Sequence, residues 1–160
     1  MSTIAWDGAV LAADNGGWAG GLVGRSLKLF PIRMKDGSKW IVGTFGSWAF
    51  ADVALEFMQG DSPTLPDARE FDEDLSPGAV WALAVNADGE CYRVQANLRF
   101  DKVLDPFASA GAGRDIALGA LAAGATAIQA VGIAEAYTDY AKFGVTAMRF
   151  DSDGEIVMAN

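Results

Sequence analysis

The chain has 160 residues, 51% of them apolar and 21% charged, with a net charge of −9; this suits one soluble domain whose core needs neither disulfide nor metal. The negative charge argues against a nucleic-acid backbone or an anionic membrane as partner, since both select for Lys and Arg. The absence of histidine excludes a His-containing catalytic triad, and the lone Cys91 excludes an intramolecular disulfide and fits a reducing compartment.

Met1 to Trp6 shows neither a basic n-region nor a long apolar h-region, so no secretory signal is visible. Four Asp-Gly dipeptides then punctuate the chain, at Asp7-Gly8, Asp36-Gly37, Asp88-Gly89 and Asp153-Gly154. Asp-Gly suits type I′ hairpin turns, whose two central residues both need positive φ. Each dipeptide sits between strand-like runs: 2–6 with 9–14, 27–34 with 38–43, 80–86 with 90–96, and 145–151 with 155–159. The pattern predicts up to eight antiparallel strands.

Ser47 as N-cap, the apolar run Trp48–Gln59 and Gly60 as C-cap predict a first helix. Residues 61–78 hold three prolines and six carboxylates and read as a solvated acidic loop with one helical turn near 67–71. Residues 114–123 and 125–140 read as two helices rich in Ala and Gly, separated by Gly124. The uncharged stretch 116–134 is broken by glycines and poor in large apolar side chains, so it reads as packed helices and not as a membrane span. The order ββ, ββ, α, ββ, αα, ββ predicts a single α+β domain over 1–160, with two antiparallel sheets flanked by helices as a four-layer αββα sandwich. The glycines at 16, 17, 20, 21 and 24 lack a following Gly-Lys-Ser/Thr and a helix, which argues against a phosphate loop. The five tryptophans are expected in the core or between subunits.

Several segments, in this order, resemble the proteasome β-subunit family and its bacterial ATP-dependent relative HslV. They are Ser2-Thr3-Ile4-Ala5 with Leu11-Ala12-Ala13-Asp14; Lys28-Leu29-Phe30; Ile41-Val42-Gly43-Thr44-Phe45-Gly46; Gly111-Ala112-Gly113-Arg114-Asp115; and Asp139. The resemblance implies an N-terminal-nucleophile hydrolase. Ser2, exposed by removal of Met1, would attack an amide carbonyl, with its own α-amine as base. It further implies that Lys28, held by Asp14, lowers the nucleophile's effective pKa, that N–H groups of the turn around Gly43–Gly46 stabilise the oxyanion, and that Asp139 supports the site. No cofactor is implied. The implied partners are further copies of the chain and an ATPase unfoldase, in the cytoplasm.

The same residues have plainer readings. Ser2 also reads as an ordinary residue after an initiator methionine, Asp14 as a turn residue before Asn15-Gly16-Gly17, Lys28 as a solvent-facing strand lysine, and Asp139 as part of a helix-end turn. The chain also departs from the family at catalytic positions: Ser2 replaces threonine, Ala112 and Lys142 replace serines, and the acidic loop replaces much of a helix. The opening strand is about four residues short, a displacement of order 13 Å at roughly 3.3 Å per residue; a hairpin turn kept in place would leave Ser2 out of reach of Lys28. A non-catalytic structural or assembly protein, within a phage particle for example, therefore stands beside the peptidase reading, as does an amidohydrolase that cuts a small amide through Ser2 or Thr3.

Overall fold

The computed structural model describes residues 2–19 and 21–160. The described residues form β1 (Thr3–Trp6), β2 (Leu11–Asp14), β3 (Gly16–Ala19), β4 (Leu22–Arg25), β5 (Leu29–Arg33), β6 (Lys39–Thr44), α1 (Trp48–Gln59), β7 (Val80–Asn86) and β8 (Cys91–Gln95). There follow β9 (Phe100–Lys102), β10 (Ala108–Gly111), α2 (Arg114–Ala122), α3 (Ala127–Tyr137), β11 (Val145–Phe150) and β12 (Ile156–Met158). The fold is α+β, with three antiparallel sheets where the sequence suggested two. One has the order β10-β1-β2-β11-β12, another β5-β6-β7-β8-β9, and β3–β4 forms a separate ribbon.

All four Asp-Gly sites lie in hairpin connections, but not as type I′ turns: the glycines have positive φ and the aspartates do not. Three of the loops repeat one design. Met34, Asn86 and Asp151 each donate N–H to the carbonyl four residues on, and each accepts the N–H of the glycine three residues on. This is a type I turn closed by a left-handed glycine. A side-chain carboxylate or amide inside each loop accepts backbone N–H groups, as Asp36 does from Ser38 at 2.9 Å. The polar residue therefore acts through its side chain, and only glycine has to supply the unusual φ.

Alternation along the strands sorts side chains to two faces. Ile4, Trp6, Leu11 and Ala13 meet Leu29, Ile41, Leu83, Val85 and Cys91 in a cluster joining the two five-stranded sheets. Val42, Ala82, Ala84 and Val94 point the other way, against Phe50, Ala54, Leu55 and Met58 of α1. Ala5, Ala12 and Ala147 turn from the first cluster toward Ala117, Leu121, Ala127, Ala130 and Val131 of α2 and α3. Alanine on both sides of this last contact lets the helices lie close to the strands. Burial of Phe50, fully sealed, contributes about 1.5–3 kcal/mol.

Helix α1 matches its expected bounds. Ser47 Oγ accepts the Phe50 N–H, and Gly60 ends the helix with φ 92°. Helix α3 is shorter than the expected 125–140. Thr126 and Gln129 close a capping box at its start, and Thr138 leaves helical geometry at its end. The acidic segment 61–78 contains only a single 3₁₀ turn, Ala68–Glu70, capped by Asp67. Among the described residues no helix is long and apolar enough to cross a membrane.

Candidate active site

Three chain segments converge where β1 begins. In the β1–β2 pairing, Ile4 lies opposite Ala13, so Thr3 lies level with Asp14. Thr3 donates its backbone N–H to Asp14 Oδ1 at 2.7 Å. Lys28, immediately before β5, reaches the same carboxylate, with Nζ 2.8 Å from both oxygens. Asp14 Oδ2 also accepts the N–H groups of Gly16 at 2.9 Å and Lys142 at 3.2 Å. The Lys28 and Asp14 side chains are 0% and 1% exposed. Such a pair persists only because the carboxylate's remaining lone pairs are satisfied as well.

The shortened opening strand does not carry Ser2 away from this pair. In an antiparallel hairpin the two arms shorten together, so their open ends stay level. The displacement expected from an unmoved turn does not arise. Ser2 is buried, as is Thr3, and the Ser2 carbonyl accepts the Gly113 N–H at 3.2 Å. Met1 lies outside the described residues.

Lys28 is buried, and neighbouring Leu27 is the exposed residue, the reverse of a solvent-facing strand lysine. Burial pushes the Lys28 ammonium below its ordinary pKa, while the Asp14 hydrogen bond and charge pull it partly back. Its backbone carbonyl accepts the Thr44 N–H at 2.8 Å, which ties the lysine to the end of β6. Asp14 combines two roles the sequence left open: its bond to Gly16 N–H is turn chemistry, and the same carboxylate holds the lysine.

Gly43 is a strand residue, and the expected turn begins only at Phe45. A Cβ on Gly43 would stand 3.1 Å from both Ile4 Cγ2 and Leu29 Cδ2, so the missing side chain sets how closely β1 lies over β6. The N–H groups of Thr44 and Phe45 are committed to the carbonyls of Lys28 and Trp81.

Asp139 is not drawn into the cluster. It lies beyond the end of α3, its side chain is 93% exposed, and it pairs with Lys142 at 3.2 Å. What the loop after α3 brings instead is backbone: the Lys142 N–H on Asp14, and the Tyr140 carbonyl, which accepts from Thr3 Oγ1 at 3.3 Å.

The sequence marked Gly111 and Gly113 as part of a turn into a helix, but not that they make room for the start of β1. A Cβ on Gly111 would lie 2.3 Å from the Ser2 carbonyl oxygen, and one on Gly113 would lie 2.1 Å from Thr3 Oγ1. The signal was present as two glycines before a helix, but their partners are over a hundred residues away. Beside Thr44 opens a cavity of about 140 Å³, walled by Ser26, Leu27, Phe30, Trp48 and Asp52. Ser26 Oγ is buried and has no hydrogen-bond partner among the described residues. Among the described residues no group of three or more Cys, Asp or Glu is placed to hold a metal ion.

No protein-family model and no curated protein matches the sequence. Solved structures do match its shape. BPH of Thiobacillus denitrificans superposes with a TM-score of 0.63 at 20% identity, over 99% of this chain and 98% of that one. The same protein in complex with epoxomicin gives 0.59 at 21% identity, with the same coverage. A Gly-1 mutant of Anbu from Hyphomicrobium sp. strain MC1 gives 0.69 at 12% identity, over 98% of this chain and 86% of that one. At these identities the likeness is one of fold.

Proposed function

We propose that this chain is a self-assembling, proteasome-like N-terminal-nucleophile peptidase, built as a four-layer αββα sandwich, with Ser2 as its nucleophile. The three apolar clusters, one between the sheets and one under each helical side, support the layering. The observation that carries the function is the shared carboxylate. Asp14 holds both the buried Lys28 ammonium and the amide of Thr3, the residue joined to Ser2. A charged group in a water-poor site acts strongly on a neighbouring hydroxyl. The matching solved structures, one of which holds the proteasome inhibitor epoxomicin, support the same reading.

In this mechanism removal of Met1 frees the Ser2 α-amine, which takes the Ser2 hydroxyl proton as the oxygen attacks the substrate carbonyl. Lys28 stabilises the negative charge that develops on the attacking oxygen. The oxyanion falls to the N–H groups of Gly46 and Ser47 at the start of α1, because those of Thr44 and Phe45 already have acceptors. The α-amine then returns the proton to the leaving amine, and water releases the acyl group from Ser2. The cavity beside Thr44 receives a substrate side chain.

The second reading is a non-catalytic descendant that retains the fold for assembly. Exposed Asp139 and the alanine at position 112 favour it. Intact mass of the purified protein before and after epoxomicin treatment separates the two. Loss of Met1 and one adduct mapped to Ser2, absent in Ser2→Ala, is the expected result. Retained Met1 with no adduct rejects the peptidase and leaves the assembly protein.

A further inference from the structure

The β3–β4 ribbon leaves several large apolar side chains in water. Trp18, Leu22 and Val23 are 59%, 78% and 53% exposed, and Leu27 just beyond is 69% exposed. All four residues of β4 are exposed, and its outer edge has no neighbouring strand. A two-stranded ribbon alone is marginal in water, and a bare edge is a template for another chain.

Charge says what covers it. Residues 15–35 contain no Asp or Glu, in a chain of net charge −9. They carry exposed Arg25, Arg33 and Lys35, and among the described residues none of these three pairs with a carboxylate. The ribbon runs directly into β5, an edge strand of its sheet, so one border of the molecule is both apolar and cationic. The opposite sign is concentrated in 61–78, where six carboxylates accompany a single cation, Arg69, already held by Asp67. Asp61, Glu70, Glu73 and Asp74 are exposed there beside exposed Phe71. Among the described residues no hydrogen bond or ion pair joins the two segments within one chain.

We infer that the ribbon–β5 border of one copy docks on the 61–78 segment of the next, so that the chain assembles head to tail. The inference rests on the self-assembly proposed above and assigns its surface. The two patches differ, so the contact is heterologous and closes into a ring or extends as a filament, according to its rotation. Opposite charges set its register and partner, and the exposed apolar side chains give it a dry centre. Asn15, Arg25 and Ser26 also line a depression at the ribbon's root, so the docked neighbour adds a wall to that depression.

Sedimentation velocity on three proteins tests this: the unmodified chain, a ribbon variant (Leu22→Asp with Arg25→Glu) and a loop variant (Glu70→Lys with Glu73→Lys). Unfolding curves confirm that each is folded. The unmodified chain is expected to sediment as an oligomer and each variant as a monomer. An equimolar mixture of the variants is expected to re-form species of at least twice the 16.8 kDa monomer mass, because the intact ribbon of one variant meets the intact loop of the other. A loop variant that assembles like the unmodified chain overturns the inference, as does a mixture that stays monomeric, while the self-assembly reading survives. A monomeric unmodified chain overturns both.

Discussion

Lys28 Nζ lies 2.8 Å from each carboxylate oxygen of Asp14, and neither side chain meets solvent. The two partners are not equivalent. Asp14 also receives the N–H groups of Thr3, Gly16 and Lys142, so it organises the start of β1, the turn after β2 and the loop after α3 at once.

Asp14→Ala is therefore expected to destabilise more than Lys28→Met. The aspartate variant removes the acceptor shared by a buried ammonium and three amide donors, for which loss of one partner of a buried pair sets a scale of about 3–5 kcal/mol. The lysine variant leaves a carboxylate that still accepts three hydrogen bonds. Urea unfolding of both variants and of the double variant checks this; equal costs, or costs that simply add, would contradict it.

Gly113→Ala places a methyl group 2.1 Å from Thr3 Oγ1. It is expected to cost about 1–3 kcal/mol through overpacking. Thr3→Ala in the same chain removes the clashing hydroxyl and should recover part of that loss. Gly111→Ala meets the Ser2 backbone at 2.3 Å, at φ 87°, so no side-chain substitution should rescue it. Thermal unfolding of the three variants provides the comparison.

Burial pushes the Cys91 thiol up to about 12. The folded protein should resist alkylation by iodoacetamide at pH 8 and react once unfolded in urea. The linkage sign follows from the same shift. Above pH ~9 the unfolded chain releases this proton while the native chain keeps it, so the contribution of Cys91 to stability falls as pH rises from ~9 toward ~12. Cys91→Ala should lose that alkaline slope; an unchanged slope rejects the assignment.

Glu90 accepts hydrogen bonds from Lys102, Tyr92 and Asn86, which hold its carboxyl down at about 2. A depressed acid stabilises the native state above its unfolded pKa, and that stabilisation is lost as pH falls toward ~2. Stability should decline between pH ~4.5 and ~2 in the parent and less steeply in Glu90→Gln. Unfolding midpoints measured across that range decide it.

Much of this was legible along the chain because it depends on neighbours in sequence. Ser47 and Gly60 bound α1, and the glycine of each Asp-Gly pair marks a hairpin loop through its own φ. The β3–β4 ribbon was not legible: its five glycines hide any alternation, and strand propensity offers little where side chains are absent. The helix before Asp139 was drawn too long for a related reason, and Asp139 lies past its end. The end of α3 is set by Thr138, whose hydroxyl bonds back to the Ala134 carbonyl, and a helix end is a weak signal in an alanine-rich run.

The sequence by itself determined the α+β class, the hairpins, the first helix and the residue types available for chemistry, since these follow from local φ preferences, capping and composition. It excluded histidine chemistry outright. Only the tertiary structure decided that Lys28 is buried against Asp14, that the short first hairpin still brings Ser2 and Thr3 level with that pair, and that Gly111 and Gly113 exist to let them pass. Each of those facts depends on strand register and on close approach between residues distant in sequence. Local patterns carry no information about either until the sheets are assembled.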